Sequence, residues 1–240
     1  ACLGGRHEFS FAACPPTGFP NKGIINLYDR IERMYMLGPE FIDITWGAGG
    51  STSQLTLEIC ATAQSVYGLE TCMQYLAVAN CSLTCTNMHK DMIDRALKEA
   101  KDAGIQNILA LRGDPPRGQE SWTATEGGFS HAADLVRYIR NQYGDYFGIA
   151  VHFENPDRED DLCRLKEKVD AGADYIVTQL FYDVDLFLKW VEDVRAIGIY
   201  GSFHRAVTMS KTFVPKTIRD ALEPIKDDDQ AVKDYGIRLA

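Results

Sequence analysis

Along the chain, short runs of apolar and β-branched residues alternate with longer stretches in which apolar residues recur every three or four positions. The short runs predict strands at Glu8 to Phe11, Phe41 to Trp46, Leu69 to Met73, Asn107 to Arg112, Tyr146 to Phe153 and Asp174 to Phe181. The amphipathic stretches predict helices over roughly 23–37, 52–67, 87–103, 128–142, 159–171 and 184–197. Asn87 is placed to cap the helix that carries Met88, Met92, Ile93, Ala96 and Leu97 on one face, and Gly104 to end it. Gly172 has the same place after Leu162, Leu165, Val169 and Ala171.

Six such units of about 30 to 40 residues imply parallel strands joined by right-handed helical crossovers. An open doubly wound sheet and a (β/α)₈ TIM barrel both satisfy that pattern. The dinucleotide fingerprint Gly-x-Gly-x-x-Gly is absent. Polar residues gather instead at the C-terminal ends of strands, at Thr45 and Trp46, at Arg112 to Asp114, and at Thr178 and Gln179, which is where a barrel builds its site. The barrel is therefore the expected α/β fold.

Past Ile197 the pattern falls short. Only Gly198 to Gly201 separates the sixth helix from a helical stretch around Phe203 to Lys211, and a further helical stretch runs from about Pro215 to Ala240. The expectation is a single domain over residues 1–240, an incomplete barrel with its seventh strand largely missing and its eighth absent, truncated at the C-terminal end.

Composition narrows the function. The chain is 45% hydrophobic and 25% charged, an ordinary globular balance, and its net charge of −9 argues against nucleic acid or an anionic membrane as partner. No run of about 18 apolar residues and no basic-then-apolar leader is present, so the expected setting is soluble and cytoplasmic. The seven cysteines are odd in number and scattered without a Cys-x-x-Cys pair, so a disulfide framework is not expected. Cys81, Cys85 and His89 could share a helical face, but no fourth ligand follows; packing is their expected role, and no metal is expected.

Several residues could carry chemistry. Arg112 and Asp114 form either a loop-closing ion pair or a ligand contact, the guanidinium meeting phosphate and the carboxylate accepting from a heterocycle. Gln179, after Ile176, Val177 and Thr178, either caps a strand end or matches the donor and acceptor edge of a pterin or flavin. Asp161 and Lys168 lie seven apart on one predicted helix and present either a solvated face or two charges to a ligand. Trp46 to Gly50 would let backbone approach a ligand closely or simply turn before a helix cap. Asp227 to Asp229 reads as a solvated turn that caps the last helix. His131 and His152 are uninformative by themselves.

Taken in order, FIDITWGAGG, LTCTNM, NILALRGDPP, EGGFSHAADLV, LKEKVDAGADYIVTQLFYDVD and EPIKDDDQAVKDYGI span nearly the whole chain. Together they resemble the catalytic domain of eukaryotic, fungal-type methylenetetrahydrofolate reductases. The resemblance implies a flavin-containing (β/α)₈ barrel that reduces 5,10-methylenetetrahydrofolate to 5-methyltetrahydrofolate in one-carbon and methionine metabolism. NADPH or NADH is the hydride source, and FAD carries the redox chemistry. It further implies that Thr45 and Trp46 line the flavin and that Arg112, Gly113 and Asp114 contact it. His131 and Ala132 would hold the nucleotide portion, with Asp161 and Lys168 at its ribose or diphosphate. Asp114 and Gln179 would hold the folate pterin. A homo-oligomer is the implied association.

The departures from that family matter equally. Its Phe-Ser-Phe-Glu-Phe-Phe-Pro-Pro motif supplies a glutamate that protonates the folate nitrogen, whereas this chain reads FSFAACPP, with Ala12 at that position. Gln74 to Ser82 interrupts a Cys-Met-His-Leu-Thr-Cys passage and removes a flavin-contacting histidine. The Ala-Gly-Tyr-Pro-Glu loop is absent at Ala150 to Glu154, as are the Pro-Gly-Ile-Met-Pro-Ile text of the seventh strand and the final Phe-Tyr-Thr-Leu-Asn strand. The competing expectation is therefore a catalytically defective paralogue or fragment that acts only by association with a full-length reductase. An open barrel with exposed strand edges would bind FAD weakly.

Overall fold

Each apolar run of the sequence folds as a short parallel strand, and each amphipathic stretch as the helix that follows it. The structure is a computed structural model that describes residues 9–13, 20–39, 41–45, 53–74, 89–111, 127–151, 158–178, 181–207 and 214–239. The strands are β1 (Phe9–Ala13), β2 (Ile42–Thr45), β3 (Thr71–Gln74), β4 (Asn107–Ala110), β5 (Gly148–Val151), β6 (Tyr175–Thr178) and β7 (Ser202–Val207). The helices are α1 (Pro20–Tyr35), α2 (Ser53–Ser65), α3 (Lys90–Asp102), α4 (Ala132–Tyr143), α5 (Arg158–Asp170), α6 (Val184–Ala196), α7 (Lys216–Leu222) and α8 (Asp229–Leu239), with a 3₁₀ turn at Glu223–Ile225.

All neighbouring strands are parallel, and the sheet closes on itself in the order β1 to β7. Closure is made by β7, which pairs with β6 from Tyr175↔Ser202 to Thr178↔Arg205 and with β1 from Phe9↔Arg205 to Phe11↔Val207. This corrects the expectation of a missing seventh strand and an open edge: the stretch read as helical around Phe203 to Lys211 supplies a strand of six residues. Phe203 packs against the main core, while Ser202 is exposed. The run therefore lacks the continuous apolar text that marks a strand covered on both faces. No eighth strand is present among the described residues.

Alternation along each strand divides two cores. Ile42, Ile44, Ile108, Ala110, Ile149, Val151 and Ile176 face outward and pack with helix residues such as Ile31, Ile59, Leu97, Ile139 and Leu165. Phe41, Cys72, Leu109, Leu111, Ala150 and Val177 face inward and fill the barrel, with Tyr175 against them. Each fully buried Ile, Leu or Phe contributes roughly 1.5–3 kcal/mol of burial, so the outer layer dominates the fold's hydrophobic stabilisation.

Helix ends follow local chemistry. Gly104, with φ of 75°, ends α3 as its sequence predicts, since the left-handed region suits glycine. The cap at the start of α3 is His89; Asn87, the residue expected there, lies outside the described residues. Asp228 accepts hydrogen bonds from the backbone N–H of Gln230 and Ala231 at 3.0 Å each, so the acidic turn caps α8 as expected.

Arg140, in the last turn of α4, ties the N-terminal end of the barrel together. Its Nε donates to the Gly172 carbonyl at 2.8 Å, and its Nη1 to the carbonyls of Phe147 at 2.7 Å and Gly144 at 3.1 Å. Its Nη2 bonds Asp174, whose carboxylate also accepts from the Ile149 N–H at 2.7 Å. One guanidinium thus joins the end of α4, the entry to β5 and the turn into β6. Arg195 repeats the device at the end of α6, donating to the carbonyls of Ile199 at 2.7 Å and Gly201 at 3.2 Å just before β7.

Candidate active site

In a parallel barrel the strands point their C-terminal ends at one rim, and the loops and helix N-termini that follow them surround it. Thr45 is the last residue of β2 and pairs with Gln74 of β3. Leu111, buried, directly follows β4 and leads toward Arg112. Thr178 ends β6 and pairs with Arg205 of β7. Strand alternation puts Thr178 in phase with outward Ile176. Trp46, Arg112, Gly113, Asp114 and Gln179 lie outside the described residues.

Helix α4 opens at that rim. His131 is its N-cap residue, with extended backbone, and Ala132 is its buried first residue. The backbone N–H of His131 donates to the Asp134 carboxylate at 3.2 Å, and the His131 ring Nδ1 lies 3.7 Å from the same carboxylate. Arg137 holds the other carboxylate oxygen at 3.0 Å. The imidazole is therefore fixed beside the positive end of the helix, a setting that suits an anionic ligand.

Helix α5 begins at the same rim after β5. Asp161 stands in its first turn and is buried, at 5% exposure, while Lys168 stands in its last turn and is half-buried. Seven residues set them about 10 Å apart along the axis. Both take part in interactions with neighbouring groups. The structure thus brings His131 and Ala132 together at one helix start and places Asp161 and Lys168 on one helix.

The barrel interior also holds a polar group that sequence reasoning passes over. Asp43 is 2% exposed and is the Cα partner of Cys72. The Cys72 thiol is hydrogen-bonded to Asp43, and the Tyr175 hydroxyl donates to Cys72 Sγ at 3.5 Å. The Tyr175 ring meets Phe41 edge-on at 5.8 Å between centroids. An acidic residue flanked by two isoleucines in an otherwise apolar strand is the one signal the sequence offers.

Burial, and then the charge of Asp43, push the Cys72 thiol well above its ordinary range. Burial followed by the neighbouring Cys72 does the same to Tyr175. On the outer side, burial and then Asp43 push Cys60 up from 9.0 to about 12. A thiol that ionises later in the folded protein than in the unfolded chain leaves stability intact below the unfolded value and erodes it above. We therefore expect the urea midpoint to fall as pH rises from 9 toward 12, and to fall less in Cys60→Ala. A midpoint equally pH-dependent in that variant would show that Cys60 ionisation does not limit alkaline stability.

Among the described residues, no group of three His, Cys, Asp or Glu side chains could hold a metal ion, and no helix is long and apolar enough to cross a membrane.

Comparison with known proteins gives a consistent result. Residues 3–240 match the family described as "Methylenetetrahydrofolate reductase". The chain is 48% identical over 264 aligned positions to methylenetetrahydrofolate reductase (NADH) 1 of Arabidopsis thaliana, covering 98% of this chain and 43% of that protein. It is 47% identical over 258 positions to methylenetetrahydrofolate reductase 2 of Saccharomyces cerevisiae, covering 98% of this chain and 41% of that one. With the 5,10-methylenetetrahydrofolate reductase of Pectobacterium carotovorum it shares 29% identity over 258 positions, covering 99% of this chain and 80% of the bacterial protein. The chain thus spans less than half the length of the plant and yeast relatives. Among solved structures, a phosphonopyruvate hydrolase complex with oxalate and Mg++ aligns with a TM-score of 0.53 at 12% identity, covering 95% of this chain and 82% of that one. D-psicose 3-epimerase in the presence of D-fructose aligns with a TM-score of 0.52 at 12% identity, covering 91% and 81%. At such identities the likeness is one of fold alone.

Proposed function

Because the chain belongs to the methylenetetrahydrofolate reductase family, we propose that it reduces 5,10-methylenetetrahydrofolate to 5-methyltetrahydrofolate with NAD(P)H, through bound FAD, in cytoplasmic one-carbon metabolism. The observation that carries this reading is the family match, which runs from residue 3 to residue 240 without confinement to one segment. The closed parallel ring supports it as a variant of the (β/α)₈ barrel, built with β7 as the closing strand.

The described residues fit a flavin dinucleotide. The N-terminus of α4, with the fixed His131 ring, suits a diphosphate or the nucleotide portion, and the Asp161 carboxylate can accept from ribose hydroxyls. When bound, FAD takes a hydride from the nicotinamide and delivers it to the folate methylene. Thr45, Trp46, Arg112, Gly113 and Asp114 would line the isoalloxazine, and Lys168 would neutralise phosphate charge. Asp114 and Gln179 would orient the pterin, which positions the methylene for transfer. Self-association into a homo-oligomer belongs to the same proposal.

Ala12 favours a second reading, that of a defective paralogue which only associates with a full-length reductase, since alanine has no proton to give. One preparation separates the two. Protein incubated with FAD and desalted should remain yellow, bleach anaerobically with NADH or NADPH, and then form methyltetrahydrofolate from the methylene substrate. A protein that retains no flavin would sink the reductase reading and leave the associating paralogue.

A further inference from the structure

The barrel interior holds a row of three hydrogen-bonding side chains running in one direction. Tyr175 O–H donates to Cys72 Sγ at 3.5 Å, and the Cys72 thiol is bonded in turn to Asp43. β6 and β3 are not neighbours in the sheet, so the first of these bonds crosses the lumen. On its other side Asp43 has Ala12 of β1 as Cα partner, so positions 12 and 43 lie side by side at the same height in the ring. A carboxyl therefore stands one strand away from the position whose residue has none.

We propose that Asp43 is the proton donor for opening the folate five-membered ring, acting through one water molecule beside position 12; this rests on the reductase reading above. The Asp43 O–H bond breaks, and its proton passes through the water to form an N–H bond at the ring nitrogen that leaves. The C–N bond to the methylene breaks with its electron pair going to that nitrogen. The lone pair of the other ring nitrogen forms a C=N bond, and the methylene carbon then accepts the hydride. Asp43 is left as a carboxylate, steadied by the Cys72 thiol, and regains a proton from solvent.

Among the described residues, Cys60 from α2, Cys72 from β3 and Tyr175 from β6 are titratable side chains that bear on Asp43. Burial holds all three protonated beyond their ordinary ranges. Thiol and phenol therefore remain hydrogen-bond donors at neutral pH, and Asp43, at the end of the row, is the carboxyl that lies beside position 12.

The test uses the full chain loaded with FAD. Asp43→Asn should lower kcat for methyltetrahydrofolate formation on the order of 10²-fold while flavin reduction by NAD(P)H keeps its rate. It should also abolish the alkaline limb of the kcat profile, and adding Ala12→Glu to it should restore turnover. In protein without flavin, the infrared S–H band assigned through Cys72→Ala should move to higher frequency in Asp43→Asn, as the hydrogen bond weakens. An unmoved S–H band, an unmoved pH limb, or equal loss in both half-reactions overturns the proposal. So does a wild-type chain that binds FAD and oxidises NAD(P)H but forms no product until Ala12→Glu is made, a result that leaves the flavoenzyme reading standing. Should Asp43→Asn not fold, Cys72→Ala keeps the acid and removes its thiol partner; the pH limb should then shift, and an unshifted limb counts against the proposal. A chain that takes up no FAD removes both readings together.

Discussion

Replacing Arg140 with alanine is expected to destabilise the fold by about 1.5–3 kcal/mol, the range for hydrogen bonds made by a charged group. The side chain is 16% exposed and donates to three backbone carbonyls besides Asp174. Its loss leaves the carbonyls of Gly172 and Phe147 without their donor, and leaves Asp174 with the Ile149 N–H but no cation. Lysine should recover only part of the loss, because one ammonium cannot reach carbonyls on both sides of the α4 end as a planar fork does. Urea denaturation of the two variants checks this, and an alanine variant within 1 kcal/mol of wild type would contradict the role. Gly172 shares the arrangement: a Cβ there would stand 2.9 Å from Arg140 Cγ, at a φ of 113° that disfavours any side chain.

Asp114→Asn is expected to cost activity heavily. If the Asp114 carboxylate orients the pterin and balances charge at the flavin, its amide should bind FAD nearly as well yet reduce folate roughly 10²-fold more slowly, a typical loss for one electrostatic contact in a transition state. Separate stopped-flow measurements of flavin reduction and flavin reoxidation by substrate read this directly. A slowdown confined to the NAD(P)H step would place Asp114 elsewhere in the cycle. The same measurements on Gln179→Ala should show a raised substrate requirement, since an orienting amide is lost and no charge is removed.

The six strand–helix units were legible in the sequence because each buried strand is a short apolar run and each helix keeps a helical period. The seventh strand was not. Its Ser202, His204 and Arg205 break the apolar run, and it is held by pairing with β6 and by β1, nearly two hundred residues away in the chain. No local pattern reports such a contact. At the rim, the resemblance named residues one by one, and of these His131 and Ala132 stand at the start of one helix. The Asp43 row was invisible for the same reason as β7: Tyr175 and Cys72 are 103 residues apart. Arg140 likewise reads as an ordinary basic residue near a helix end until its loop partners are in place.

The closure of the ring through β7 has a consequence of parity. In an eight-stranded barrel, odd and even strands supply alternate layers of the interior, and the alternation meets itself on return. Seven strands cannot do that. Cα partners run from Ala12 through Asp43 and Cys72 to Asn107 and Gly148, and across the closure from Thr178 through Arg205 to Phe9, so the register climbs along the strands before the ring closes. One pair of neighbours, however, must then contribute to the same layer. The ring closes where β7 meets β1, with Ser10 the Cα partner of Ala206. A narrower, odd-numbered ring has least room where two adjacent strands compete for one layer. With seven strands the ring is narrower than one of eight, so the inward Phe41, Cys72, Leu109, Leu111, Ala150 and Val177, with Tyr175 against them, are enough to fill it.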